Sequence, residues 1–319
     1  MSQRQVGIID VGSNSIKLLI AGQTGKGAIR SIRFEVEETR IGEGLAGSPP
    51  RIDPQALVKG TEAIARLLAI SSEHELDALR IVATSAVREA VNREAFVDSV
   101  QLATDTELEV LSGDEEARLI GKGLRCDPKL AHLSRYSLLD LGGGSLECIQ
   151  FTDGSVFQAH SLDLGAVRLT SRYVEDRNRP LAGSESELIR THVETTFANA
   201  RIERNSSPSP IAVLTGGTAA ILSARHPACD ARDGMSILQA HAFRKEVCSL
   251  SEPERVAQLS IPVSRADIFP AATTILCAAL DYLGCEQLSF SLFNLRYGLA
   301  AEMLEDLRKG RNPLFPEPR

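Results

Sequence analysis

Tryptophan is absent from this 319-residue chain, and aromatic side chains make up only 4% of it. A surface that stacks successive bases needs aromatic rings, so binding of single-stranded nucleic acid is not expected. Excess positive charge is missing too: 35 Lys and Arg stand against 42 Asp and Glu, a formal net charge of −7. Broad counterion-release binding to nucleic acid is disfavoured by that balance. Arginines and lysines gathered in one groove would still suit a polyanionic ligand. No apolar run is long enough for a membrane span, and no leader pattern precedes the first expected strand, which places the protein in the cytoplasm as an expectation.

Three kinds of site are missing as well. The cysteines (Cys126, Cys148, Cys229, Cys248, Cys277, Cys285) form no C-x-x-C and several sit in apolar runs, so they read as small core residues in a reducing compartment. The histidines (His74, His132, His160, His192, His226, His241) have neither ligand spacing nor a nucleophile beside them, and read as structural or exposed. A P-loop is absent. Gly142-Gly143-Gly144 lacks the third glycine of a dinucleotide fingerprint and leads into a strand, not a helix.

What is present centres on residues 138–149, Leu138-Leu139-Asp140-Leu141-Gly142-Gly143-Gly144-Ser145-Leu146-Glu147-Cys148-Ile149. Three glycines let backbone N–H groups approach a phosphate closely. Asp140 and Glu147 flank them, and carboxylates beside phosphate are what Mg²⁺ prefers. A second version stands 130 positions earlier, Ile8-Ile9-Asp10-Val11-Gly12-Ser13-Asn14-Ser15-Ile16-Lys17-Leu18-Leu19, with Asp10 on Asp140, Gly12 on Gly142 and Ser15 on Ser145. The match covers both apolar flanks and the turn, so it reads as an internal duplication. Two lobes of about 150 residues are expected.

Around these turns the chain alternates strands and helices, which gives the α/β class. Strands are expected near 5–20, 28–41, 79–83, 108–111, 148–151, 155–161, 211–214 and 288–293. Helices are expected over 53–74, 92–103, 113–124, 184–204, 219–224, 237–250, 252–259, 266–283 and 295–308. Asn92 and Ser184 read as N-caps, residues 42–50 as a flexible loop bordering a cleft, and 205–210 as a helix breaker. Thr215-Gly216-Gly217-Thr218 is a third glycine turn at a strand end.

Ser112-Gly113-Asp114-Glu115 has capping-box spacing, which gives Glu115 a structural role. Glu116 lies ~100° further round the helix, where it suits either a water-activating base or a solvated face. Arg88, after Ala83-Thr84-Ser85, suits either a bidentate phosphate contact or a surface ion pair.

Asp10-Val11-Gly12-Ser13-Asn14-Ser15, Ala83-Thr84-Ser85-Ala86-Val87-Arg88, Ser112-Gly113-Asp114-Glu115-Glu116-Ala117-Arg118, Asp140-Leu141-Gly142-Gly143-Gly144-Ser145-Leu146-Glu147 and Thr215-Gly216-Gly217-Thr218 together resemble the exopolyphosphatase / guanosine pentaphosphate phosphohydrolase family, part of the sugar kinase, heat-shock protein and actin superfamily. The motifs run in the family's order over residues 5–305. The resemblance implies two ribonuclease-H-like (actin-like ATPase) lobes around a central cleft. They are expected at 1–124 and 125–319, with the terminal helix from 295 a candidate to pack back on the first lobe.

It also implies Mg²⁺-dependent hydrolysis of the terminal phosphate of inorganic polyphosphate. The alternatives are guanosine pentaphosphate or nucleotide hydrolysis at the same site and, less favoured, a non-catalytic sensor. By motif position Glu116 matches the family's catalytic glutamate and Arg88 a substrate-contacting arginine. Asp140 and Glu147 match carboxylates linked to metal and activity, with Asp10 as well placed by symmetry. Gly12, Ser13, Asn14, Ser15, Gly142, Gly143, Gly144, Ser145, Gly216 and Gly217 match the phosphate-binding turns. A homodimer is one assembly open to the chain, and the sequence does not fix the oligomeric state. The C-terminal helical domains that help long members hold long polyphosphate are outside the match, which puts a preference for long chains in doubt.

Overall fold

The structure is a computed structural model that describes residues 4–24, 28–47, 49–153, 155–204, 210–225 and 234–314. Cys229, His226, and residues 205–209 of the expected breaker lie outside the described residues. The chain divides into two units: Met1–Pro128 with Phe293–Arg319, and Lys129–Leu292.

The first unit opens with β1 (Gln5–Val11), β2 (Ser15–Gln23) and β3 (Ile29–Glu38), an antiparallel meander. Then come α1 (Pro54–Ser71), β4 (Ala78–Ala83), α2 (Ser85–Glu89), α3 (Arg93–Thr104), β5 (Leu108–Val110) and α4 (Gly113–Leu124). The sheet order is β3-β2-β1-β4-β5, with β4 parallel to β1 and β5 parallel to β4. Its core joins Ile9, Val11, Ile16 and Leu18 of the sheet to Ile64 and Leu67 of α1 and Phe96 of α3. Asp53 caps α1 through the Gln55 N–H, and Pro54 sits in the first turn, where its missing donor costs nothing.

The second unit runs β6 (Arg135–Leu141), β7 (Leu146–Thr152), β8 (Ser155–Leu162), α5 (Ala166–Tyr173), α6 (Gly183–Asn199), β9 (Ile211–Thr215), α7 (Gly216–Arg225), β10 (Met235–Ser236), α8 (Ile237–Ser249), α9 (Glu252–Leu259), α10 (Val263–Ala266), α11 (Phe269–Leu283) and β11 (Gln287–Phe290). Its sheet order, β8-β7-β6-β9-β11-β10, repeats the first with one strand added: two antiparallel neighbours, then two parallel ones. The duplication read from the glycine turns therefore extends to the topology of both sheets, and each unit has the ribonuclease-H-like strand order. α11 is buried on every side except at Asp281 and Tyr282, which is why its sequence is apolar all round.

The last helix, α12 (Leu295–Arg308), belongs to the first unit, so the second ends at Leu292. It lies against α4 at glycine contacts. A Cβ on Gly298 would stand 1.9 Å from Leu119 O, and one on Gly123 2.0 Å from Asn294 O. Arg118 and Lys122 of α4 pair with Glu302 of α12.

Local readings needed revision at four places. Asn92 precedes α3 but makes no side-chain cap. Its amide instead brackets Ile52, accepting from its N–H at 2.9 Å and donating to its carbonyl at 3.0 Å. α6 starts one residue before Ser184, with Ala182 at the cap position. Glu185 closes the turn by accepting from Ala182 N–H at 2.9 Å. Residues 41–46 form a 3₁₀ helix packed on the β1–β2 turn through Gly42, where a Cβ would stand 2.7 Å from Ser13 Cβ, while Gly44 makes room for Arg51 O, 2.2 Å from where its Cβ would stand. The segment after Leu164, unassigned in the sequence, is α5. Cys148, Cys277 and Cys285 are buried, and burial pushes each thiol up to about 12. No helix among the described residues is long and apolar enough to cross a membrane.

Candidate active site

Each unit carries its candidate groups at the carboxyl ends of its parallel strands, the usual place for ligand chemistry in an open α/β sheet. In the first unit these are the β1–β2 turn (loop 1), the β4–α2 turn and the start of α4. Ser13 Oγ lies 3.3 Å from Ser85 Oγ, joining loop 1 to α2. Arg88, on α2, donates from Nη1 to Leu111 O and to Glu116 Oε2, both at 2.9 Å. Ser112 caps α4, its Oγ accepting from the Glu115 N–H at 3.2 Å. Glu116, one position on, is buried at 5% exposure. Neither a solvated face for Glu116 nor a surface ion pair for Arg88 describes this arrangement. The helix N-terminus and Arg88 both stabilise negative charge at Glu116, and the bond to Arg88 fixes where its carboxylate points.

In the second unit the triple-glycine turn (loop 2) is held from beneath by the start of α5. Ala166 N–H donates to Gly142 O at 3.0 Å, Arg168 N–H to Gly143 O at 3.1 Å, and Gly165 N–H to Gly144 O at 3.2 Å. Arg168 Nε adds a bond to Gly144 O at 2.7 Å. A trans peptide points its N–H opposite to its carbonyl. With these three carbonyls turned toward α5, the N–H groups of Gly143, Gly144 and Ser145 are turned away from it together. Successive amide donors turned to one side form the kind of concavity that suits an anion. Loop 1 is built alike: Gly42 N–H takes Ser13 O at 2.8 Å, while Thr39 and Arg40 N–H take Asn14 O, turning the Asn14 and Ser15 N–H groups away.

Gly165 has no room for a side chain. A Cβ there would stand 2.2 Å from Gly143 O and 2.3 Å from the carbonyl carbons of Gly143 and Gly144. Gly165→Ala is expected to push loop 2 off its place and to lower phosphate release about 100-fold, the usual cost of ~1 Å misplacement in a site. Steady-state kinetics beside a melting curve checks this, and unchanged kcat/KM would show that loop 2 does not hold the substrate.

Asp140 and Glu147 are directly opposite each other on β6 and β7. Such pairs have Cβ atoms about 5 Å apart, and like charges there repel. Ser161 Oγ donates to Glu147 at 2.8 Å. Gly216 has φ +85°, and a Cβ on it would stand 2.5 Å from Asp140 Oδ1, so the third glycine turn leaves space for that carboxylate. The Arg265 guanidinium lies against Gly217. Two facing carboxylates fit a hard cation such as Mg²⁺, which takes one or two carboxylates and completes its shell with water and phosphate oxygens. Among the described residues no three His, Cys, Asp or Glu side chains gather as a metal cluster.

Asp10 is placed differently from its counterpart. Arg296 of α12 donates from Nη1 to Asp10 Oδ2 at 2.5 Å, and both side chains are buried. Arg168, Arg296, Arg265, Ser161 and Gly165 were not singled out in the sequence as functional.

A profile of the Ppx/GppA phosphatase family matches residues 19–307. Exopolyphosphatase 2 of Mycobacterium tuberculosis is 28% identical over 324 residues, which cover 95% of this chain and 99% of that protein. In fold, the chain is similar to an exopolyphosphatase from Cytophaga hutchinsonii (TM-score 0.82, 20% identity, 98% of this chain and 100% of that one). It is also similar to the Aquifex aeolicus member of the Ppx/GppA family (TM-score 0.76, 20% identity, 98% and 100% covered).

Proposed function

Because the chain belongs to the Ppx/GppA phosphatase family, and is thus a phosphatase acting on phosphoanhydride bonds, we propose that it is an exopolyphosphatase, releasing the terminal phosphate of inorganic polyphosphate by hydrolysis. The observation that carries this reading is the seating of loop 2 on α5, which turns three successive amide donors to one side. The relative in Mycobacterium tuberculosis, named an exopolyphosphatase and matched over almost its whole length, supports the substrate.

In this reading the amide donors of loops 1 and 2 bind phosphoryl oxygens. Glu116, oriented by Arg88, accepts the proton of the attacking water and aims its oxygen for in-line displacement. The shortened polyphosphate leaves as an anion. Asp140 and Glu147 would hold Mg²⁺, whose charge would offset that of the terminal phosphates. Positioning and charge stabilisation supply most of the rate, since phosphoryl transfer asks little covalent chemistry of a protein.

Phosphate release from short polyphosphate, long polyphosphate, guanosine pentaphosphate and ATP, measured on one preparation, tests the substrate. Short polyphosphate is expected to lead guanosine pentaphosphate and ATP by about tenfold or more in kcat/KM, a difference of ~1.4 kcal/mol in transition-state binding. Chelation by EDTA is expected to remove at least ~100-fold of the rate, restored by Mg²⁺. Hydrolysis of guanosine pentaphosphate without release from polyphosphate would replace this reading with the nucleotide one.

A further inference from the structure

The two loops share a backbone but not a charge. In loop 2, Asp140 faces Glu147 across the strand pair; in loop 1, Asp10 faces Lys17, the residue 130 positions before Glu147. To that cation the fold adds a second. Arg296 donates to Asp10 Oδ2 at 2.5 Å, with 8% and 10% of the two side chains exposed. Loop 1 thus sets its carboxylate beside two cationic residues, whereas loop 2 sets two carboxylates opposite each other, with Arg168 bonded to Gly144 O and Arg265 lying against Gly217.

Arg296 is placed with care for a residue that merely fills space. Asn294 caps α12 by accepting from the Arg296 N–H at 3.3 Å. The guanidinium carbon lies 5.4 Å from the centre of the Phe34 ring on β3. The Gly123 and Gly298 contacts set α12 against α4, the helix that carries Glu116, at a separation no side chain would permit. Register between the two helices is therefore tightly defined, and Arg296 meets Asp10 as a consequence.

A buried carboxylate without a partner would repel a phosphate and compete for a cation. We propose that Arg296 is a positioning residue of loop 1: its guanidinium takes up the charge of Asp10, so that this carboxylate neither repels the terminal phosphate nor ligates metal. The carboxylates of the duplicated loops then differ in role: that of loop 1 is neutralised and those of loop 2 are left for the cation, while the amide donors of both loops serve the phosphate. The inference rests on the reading of both loops as phosphate-binding turns in an exopolyphosphatase.

Two measurements test it. The first is binding of tripolyphosphate in EDTA, by calorimetry, to the wild type, Arg296→Gln, Asp10→Asn and the double variant. Lys17 is present in all four and drops out of the comparison. Arg296→Gln is expected to weaken binding about tenfold or more, and the double variant to return to within about threefold of wild type, because the exposed charge is gone. A clamp that only held α12 would show no such return, and a double variant as weak as Arg296→Gln overturns the inference. The second is Mn²⁺ binding followed by electron paramagnetic resonance. Asp10→Asn is expected to keep wild-type affinity while Asp140→Asn loses it. An equal loss in Asp10→Asn makes Asp10 a ligand and overturns the inference even if Arg296→Gln fails to fold. A wild type that hydrolyses no polyphosphate sinks the exopolyphosphatase reading. A wild type that hydrolyses it beside an unrestored double variant sinks this inference alone.

Discussion

Glu116→Gln is expected to lower polyphosphate hydrolysis by roughly 10³-fold, within the 10²–10⁴ range typical for loss of a general base. The substitution keeps the shape of the side chain, and an amide oxygen can still accept from Arg88 Nη1, which now stands 2.9 Å from Glu116 Oε2. What it removes is the capacity to take a proton from water. The melting temperature should therefore move little, and tripolyphosphate binding should persist, because the amide donors of both loops are untouched. The loss should fall on kcat more than on KM, the signature of an interaction made in the transition state. Full phosphate release by Glu116→Gln in the presence of Mg²⁺ would remove Glu116 from the mechanism. Another base would then have to be sought at the carboxyl ends of the strands.

The largest effect on stability is expected at a residue to which no chemical role is assigned. Arg255, on α9, is 1% exposed and meets backbone carbonyls with its whole guanidinium. Nε donates to Val247 O at 3.1 Å, Nη1 to Arg177 O at 3.3 Å and Ala266 O at 3.0 Å, and Nη2 to Arg179 O at 2.9 Å. The side chain joins the end of α8, the 177–179 segment and α10 within the second unit. Burial pulls its pKa below the ordinary arginine value, which is the cost of keeping this charge out of water. Arg255→Met keeps much of the volume but leaves four carbonyls without these donors. Each buried carbonyl deprived of its partner costs on the order of 1 kcal/mol or more, so a loss of about 4 kcal/mol is expected. Urea denaturation monitored by circular dichroism measures it. A loss under about 1 kcal/mol would mean that water replaces the guanidinium, and that the second unit is held by its apolar core alone.

The legible part of the fold was that written in short-range pattern. Asp53-Pro54 announced α1, and Ser112 announced α4, while the burial of Glu116 beside that cap came only with the structure. The 130-residue repeat announced two duplicated lobes, and the shared order of antiparallel and parallel neighbours in the two sheets agrees with it. Boundaries failed where two local solutions were of similar energy. Ser184 and Ala182 can each start α6, and the choice fell to Glu185, whose carboxylate also accepts from Glu175 N–H at 3.0 Å and pairs with Arg179. Asn92 looked like a cap by its neighbours, but its amide was claimed by Ile52, 40 residues away.

For the candidate site the division is similar. The sequence by itself determined the glycine turns, the carboxylates Asp140 and Glu147 flanking one of them, and the glutamate at the start of α4. In each case the chemistry lies within one strand-turn-strand or one helical turn. Tertiary structure alone decided which partners these groups meet. Arg88 reaches Glu116 across 28 residues, Arg168 reaches Gly144 across 24, and Arg296 reaches Asp10 across 286. An arginine carries no mark of where its guanidinium will end, since its long side chain takes its direction from the packing of whole elements. The symmetry of the sequence left Asp10 and Asp140 equivalent as metal carboxylates. The fold separates them by bringing the last helix of the chain back to the first strand.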